Sequence, residues 1–171
     1  RELGDELNIS KSALHRTLQT LEGRGFVRQD VLSEKYSLGY KILELSESLK
    51  KDMEIRNLAY EYMEELRDLV GDTIQLAILD NESILIIETV EGTNDLRVFS
   101  QAGKRYPITY GNFGRVFLSQ FSSEEIKSYL KKYPLKKYAS NSTIDEDTFL
   151  QKVNTVKEQG LSTSMDDPIE G

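Results

Sequence analysis

The sequence has no cysteine, a single histidine and three prolines, and nowhere runs through 18 consecutive apolar residues. Without cysteine there is no disulfide, no thiolate nucleophile and no zinc site of the usual Cys/His kind. His15 alone cannot furnish a His-based triad, so no catalytic residue, metal or cofactor is expected. Asp80, Glu88, Asp166 and Asp167 leave an acid/base hydrolase as the formal enzymatic alternative, which turnover of a candidate ligand would reveal. The short apolar runs offer no spanning helix, so a membrane is not an expected partner. Lack of cysteine is compatible with the cytoplasm, the expected location. Repeats and low-complexity tracts are missing as well.

What is present is a chain of 171 residues with a net charge of −7, long enough for one medium domain or two small ones. That charge argues against indiscriminate binding to nucleic acid. It is unevenly spread: residues 1–30 balance Arg1, Lys11, Arg16, Arg24 and Arg28 against Glu2, Asp5, Glu6, Glu22 and Asp30, and the remainder carries the deficit. An acidic body behind a neutral head favours selective, salt-sensitive contacts over general affinity.

That head reads as two short helices, a tight turn and the start of a hairpin. Leu3 and Leu7 stand at i, i+4, the turn falls at Asn8-Ile9-Ser10, and Leu14, Leu18 and Leu21 follow at helical spacing, so these leucines are expected to share one core. Ser10 is the expected N-cap, and Gly23 and Gly25 close the second helix before Phe26 and Val27 open a strand. The opposite face of the second helix shows Lys11, Ser12, His15, Arg16 and Gln19. This band of donors contains no carboxylate and suits both the phosphates and the major-groove acceptors of a duplex.

Farther on, Leu38, Ile42, Leu45, Leu49 and Met53 form a narrow apolar stripe on a helix of about three turns. The stripe serves either its own domain or a second copy of the chain. After a break at residues 51–54 comes a helix with Ile55, Leu58, Ala59, Tyr62, Met63, Leu66, Leu69 and Val70 on one broad face, expected to cover a sheet and to end at Gly71. Strands are expected over 73–80 and 83–91, split by the hairpin signal Asn81-Glu82, with a third over 96–101. In the stretch 106–121, Pro107 sets the entry, Gly111 and Gly114 keep the backbone close, and Val116, Phe117, Leu118 and Phe121 begin a helix. This is either an ordinary strand-to-helix turn or a helix N-terminus suited to a carboxylate. Ser122 and the group Ser142-Thr143-Ile144-Asp145 are read as caps of the last two helices, the final one carrying Phe149, Leu150, Val153 and Val156 and ending at Gly160. Lys131, Lys132, Lys136 and Lys137, interleaved with Tyr133 and Tyr138, read as a solvated loop face.

The run NISKSALHRTLQTLE followed by GFV resembles the helix-turn-helix of the IclR family of bacterial transcription regulators. Lys35-Tyr36-Ser37-Leu38-Gly39 is similar to that family's wing strand and its exit into a linker helix, and residues 103–119, GKRYPITYGNFGRVFLS, to the stretch leading into its effector-pocket helix. Three separated motifs in order cover nearly the whole chain. The resemblance implies an α+β chain: a winged helix-turn-helix over 1–38, incomplete at its start; a linker helix over 39–53; and a GAF-like effector-binding domain over 54–171, incomplete at its end. The sequence is accordingly expected to be part of a longer protein.

The implied function is a homodimeric or tetrameric (dimer of dimers) regulator, repressor or activator, that binds a double-stranded operator and answers to a small effector, an organic acid or an aromatic. Lys11, Ser12, His15, Arg16 and Gln19 would meet DNA, with Arg28 and Lys35 on the wing holding its backbone. Position by position, the pocket falls on Leu96, Val98, Asn112, Phe113, Gly114 and Ser164. Small residues stand at 112 and 113 in members that bind keto acids, so Phe113 should shrink the cavity or offer an aromatic wall, and Ser164 replaces a common aspartate. The competing reading is a winged module that binds another protein and has no direct contact with DNA.

Overall fold

The computed structural model describes residues 2–94 and 101–167. Contacts divide the chain into two units, 1–58 and 59–171, each built around its own core.

In the first unit, α1 (Glu2–Glu6) and α2 (Lys11–Gly23) are joined through Asn8, whose φ of 54° makes the sharp reversal. Ser10 caps α2 as expected, its hydroxyl accepting from the Ala13 N–H. Leu14 and Leu18 are buried, but Leu3 and Leu7 stay exposed, so the shared leucine core does not form. The reason is the contact edge: α1 meets α2 through Gly4, where an added Cβ would lie 3.3 Å from Leu14 Cδ2, and the two leucines flank that contact instead of entering it.

β1 (Val27–Gln29) and β2 (Tyr36–Leu38) pair antiparallel, with Arg28 opposite Ser37. Glu22 at the end of α2 accepts from the Gln29 N–H at 3.0 Å, which fixes the hairpin against that helix. At its base the two chains cross so closely that a Cβ on Gly39 would sit 2.0 Å from the Gly25 carbonyl oxygen; only glycine fits there. α3 (Lys41–Asp52) follows, and Met53 alone separates it from α4 (Glu54–Val70), within the expected break. No residue of α3 is buried. Along its apolar stripe, Ile42, Leu45 and Leu49 are 38%, 46% and 62% exposed.

Among the described residues, the second unit holds a three-stranded antiparallel sheet in the order β3-β4-β5. β3 (Ile74–Asp80) and β4 (Ser83–Val90) turn through Asn81 and Glu82, both at positive φ, the geometry that matches strand twist in a two-residue hairpin. β4 also pairs with β5 (Arg105–Pro107), through residues 83–85; the strand expected over 96–101 lies outside the described residues except for Gln101, which is in no strand. α4 also departs from expectation. Of its broad apolar face only Met63 is buried, while Leu58, Tyr62 and Leu69 are more than two-thirds exposed. The inward line runs through Ala59, Met63 and Arg67, none of them exposed, so the helix presents the edge of its stripe to the core and the middle of it to solvent.

α5 (Gly111–Leu118), α6 (Ser123–Lys132) and α7 (Glu146–Gln159) complete the unit. Ile108, Leu118, Ile126, Leu130, Phe149 and Val153 form their core. α6 begins with a capping box between Ser122 and Glu125. α7 is capped by Asp145, accepting from the Thr148 N–H, and ends at Gly160 with φ 74°, both as the sequence suggests.

Candidate nucleic-acid interface and ligand site

Lys11, Ser12, His15, Arg16 and Gln19 all lie exposed on α2, on the side away from Leu14 and Leu18. The helix holds them in one band because positions i, i+1, i+4, i+5 and i+8 stay on one face. Ser12 is partly engaged, its hydroxyl 3.3 Å from that of Ser10. On the hairpin, Arg28 is not free to swing. Its Nε donates to Ser37 Oγ at 3.0 Å, its Nη1 to the Tyr40 hydroxyl at 3.2 Å, and its guanidinium lies over the Tyr40 ring. Tyr40 was not singled out by sequence reasoning; an aromatic beside a predicted cationic strand was the available signal. Lys35 is exposed, and its carbonyl accepts the Asp30 N–H that closes the turn. The band and the hairpin thus belong to one rigid unit.

In the second unit, the glycine stretch is not a loop before a helix but the first turn of the helix itself: α5 starts at Gly111, five residues earlier than Val116. Phe121 lies beyond its end. Gly114 packs so tightly on the turn that follows β5 that a Cβ would approach the Ile108 carbonyl oxygen to 2.5 Å. Tyr110 precedes the helix without a side-chain cap, which leaves the first-turn N–H groups without the usual side-chain acceptor.

Phe113 belongs to a cluster of aromatic rings. Tyr106 stacks on Tyr110 with centroids 4.4 Å apart and on Phe113 at 5.9 Å, and Tyr138 meets Tyr110 edge-on at 4.6 Å. Burial, then the neighbouring Tyr106, Tyr138 and Asp167, push the Tyr110 phenol above its ordinary range, and burial does the same for Tyr138. Both hydroxyls therefore remain protonated donors at neutral pH. Among the described residues, Asn112 Oδ1 is buried with no hydrogen-bond partner, an acceptor left without a donor there.

Leu96 and Val98 lie outside the described residues. The Ser164 hydroxyl donates to the Asp167 carbonyl. What ties this segment to the glycine turn is a pair that sequence reasoning missed. Arg115, next to Gly114, donates from Nη1 to Asp167 Oδ2 at 2.9 Å and from Nε to Ser162 Oγ at 3.3 Å. A lone arginine amid Gly114, Val116, Phe117 and Leu118 was the visible signal, because a cation in a buried run demands an acid. Among the described residues no group of His, Cys, Asp and Glu could hold a metal, and no helix is long and apolar enough to cross a membrane.

Comparison with known proteins gives two family matches. The bacterial transcriptional regulator IclR C-terminal model covers residues 48–171, and the IclR helix-turn-helix domain covers residues 1–31. The HTH-type transcriptional regulator KdgR of Dickeya chrysanthemi is 32% identical over 170 residues, 99% of this chain and 56% of the relative; KdgR of Escherichia coli K12 is also 32% identical over 170 residues, 99% of this chain and 65% of the relative. The chain thus spans between about half and two-thirds of the length of these relatives. Among solved structures, an IclR transcriptional regulator from Alicyclobacillus acidocaldarius superposes with a TM-score of 0.87 at 26% identity, over 99% of this chain and 68% of that one. An IclR homologue from Microbacterium hydrocarbonoxydans, in complex with 4-hydroxybenzoate, gives 0.82 at 21% identity over 98% and 68%.

Proposed function

The chain belongs to the IclR family of bacterial transcriptional regulators, and on that premise we propose that it is a sequence-specific DNA-binding regulator, acting in the cytoplasm, whose operator affinity is set by a small metabolite held in its C-terminal domain. Members of the family are regulators and not enzymes. The observation that carries the DNA reading is the exposed, carboxylate-free donor band of α2, Lys11, Ser12, His15, Arg16 and Gln19, set on a capped helix whose other face is core.

In this reading β1 and β2 are a wing that places Arg28 and Lys35 on the phosphate backbone, residues 1–38 form the reading head, 39–53 the linker, and 54–171 a GAF-like effector domain. The open apolar residues of α3, Ile42, Leu45 and Leu49, pair with those of a second copy. Two heads then stand on one duplex at half-sites spaced by helical turns.

The effector site is the first turn of α5 with its aromatic wall. Stacked Tyr106, Tyr110 and Phe113 accept a flat ring, uncapped N–H groups and protonated phenols favour a carboxylate, and Asn112 Oδ1 takes a hydroxyl donor. A hydroxylated aromatic acid meets all three demands. Its binding shifts the spacing of the paired heads by its differential affinity for the two arrangements. Fluorescence anisotropy tests the DNA half. The full-length protein should bind a duplex from upstream of its own gene more tightly than random DNA and weaken with salt; equal, weak binding to both duplexes at every salt concentration would contradict it.

A further inference from the structure

Val31 and Leu32, at the tip of the hairpin, are 91% and 95% exposed, above every other large apolar side chain among the described residues. They are not on a floppy tip. The Asp30 carboxylate accepts from both the N–H and the hydroxyl of Ser33, at 2.8 and 2.7 Å. The Asp30 carbonyl accepts from the Glu34 N–H, the Asp30 N–H donates to the Lys35 carbonyl, and Gln29 Nε2 donates to the Glu34 carbonyl. Glu34 adopts a φ of 56° to close this turn. Those five bonds hold two adjacent apolar side chains out into water, and the Glu22 to Gln29 bond fixes the whole hairpin against α2.

An apolar pair presented so rigidly is organised for burial elsewhere, because hydrophobic side chains gain by leaving water and a fixed turn loses little entropy when they do. We propose that Val31 and Leu32 form an apolar wedge that enters the minor groove beside the major groove met by α2 and bends the duplex there. The proposal rests on the DNA-binding reading above. The groove is favoured as occupant by the continuity of the tip with the α2 band through the Glu22 to Gln29 tie. Apolar side chains inserted at a base step unstack it and kink the duplex. Charge does not draw the tip in: Arg28 and Lys35 are offset by Asp30 and Glu34, so the hairpin brings no net charge. Its contribution therefore comes from apolar contact and is independent of salt, unlike that of Lys35 alone, which meets phosphate.

The test uses full-length protein and a duplex that the wild-type protein itself selects from random DNA, labelled at its two ends for energy transfer. Neither side chain packs on the fold, so Val31→Ser with Leu32→Ser should leave thermal unfolding unchanged. The double variant is expected to bind about tenfold more weakly at every salt concentration, with a salt slope parallel to wild type and with less shortening of the end-to-end distance. Leu32→Phe should keep both affinity and bend. A double variant that binds and bends the duplex as wild type does overturns the wedge and leaves the regulator reading standing, as does one that binds DNA normally but assembles differently in light scattering. Failure of the wild-type protein to select any sequence overturns both.

Discussion

Arg115 and Asp167, separated by 52 positions, meet at 2.9 Å with side chains only 3% and 4% exposed. The first leads out of the glycine turn and the second closes the segment that Ser162 and Ser164 occupy, so the pair fastens the proposed effector site from below. A buried pair of this kind contributes little against a well-packed apolar replacement, yet losing one partner strands a charge in a medium that cannot solvate it.

Arg115→Met should therefore cost about 3–5 kcal/mol in urea unfolding of the effector domain, and adding Asp167→Leu should recover most of that loss. A double variant as unstable as the single one would show that the pair is not what the segment depends on.

Gly114→Ala places a methyl where the Ile108 carbonyl oxygen already stands, at 2.5 Å. The turn at Ile108 and Thr109 must part from the helix to admit it, at a cost of about 1–3 kcal/mol. Response to any effector should disappear, while DNA binding without effector is retained. An unchanged response would place the pocket elsewhere.

On α2, Arg16→Ala should weaken operator binding by about 1–3 kcal/mol and relax its sequence preference, whereas Lys35→Ala should weaken all duplexes alike and lower the salt slope by about 1. Anisotropy across a salt series separates the two. Wild-type affinity in Arg16→Ala would remove that residue from the interface.

Hydrogen bonds from the backbone and hydroxyl of Ser122 hold the Glu125 carboxyl below its ordinary range, and those from Thr148 do the same for Asp145. A carboxyl whose folded value is depressed stabilises the fold above its unfolded value, and that contribution is lost as pH falls through the folded one. Stability should decline as pH drops below about 4, and Glu125→Gln with Asp145→Asn should flatten the decline while lowering stability at neutral pH. Equal acid profiles for variant and wild type would contradict the assignment.

Leu45→Lys with Leu49→Lys on α3 should convert the full-length protein towards monomer in light scattering, without changing the helical content of the chain. Retention of the wild-type mass would mean that the stripe meets some other surface.

Much of this was legible in the sequence where local chemistry decides the outcome. The caps at Ser10, Ser122 and Asp145, the turn at Asn81-Glu82 and the stop at Gly160 each depend on a few neighbouring residues, and each falls where the residues indicate. Tertiary choices were not legible. The apolar run of α4 cannot say which of its edges turns inward, and the spacing of Leu3 and Leu7 cannot reveal that Gly4 makes the contact. β5 is only three residues long and contains a proline, too short to show an alternation. At the candidate site, Phe113 was expected to shrink the cavity or offer an aromatic wall, but the ring cluster of Tyr106, Tyr110 and Tyr138 around it and the Arg115–Asp167 pair depend on chain crossings that no local pattern records.

Coupling between ligand and DNA is the central claim, and linkage gives it a direct test. Small aromatic and hydroxy acids would be titrated into the complex of the full-length protein with its selected duplex, and the affinity of each active compound measured with and without DNA. The account predicts that at least one compound shifts duplex affinity, that its own affinity shifts by the same factor when DNA is present, and that Phe113→Ala removes both effects together. A compound that binds the protein with an affinity indifferent to DNA, while duplex binding ignores the compound, would contradict it.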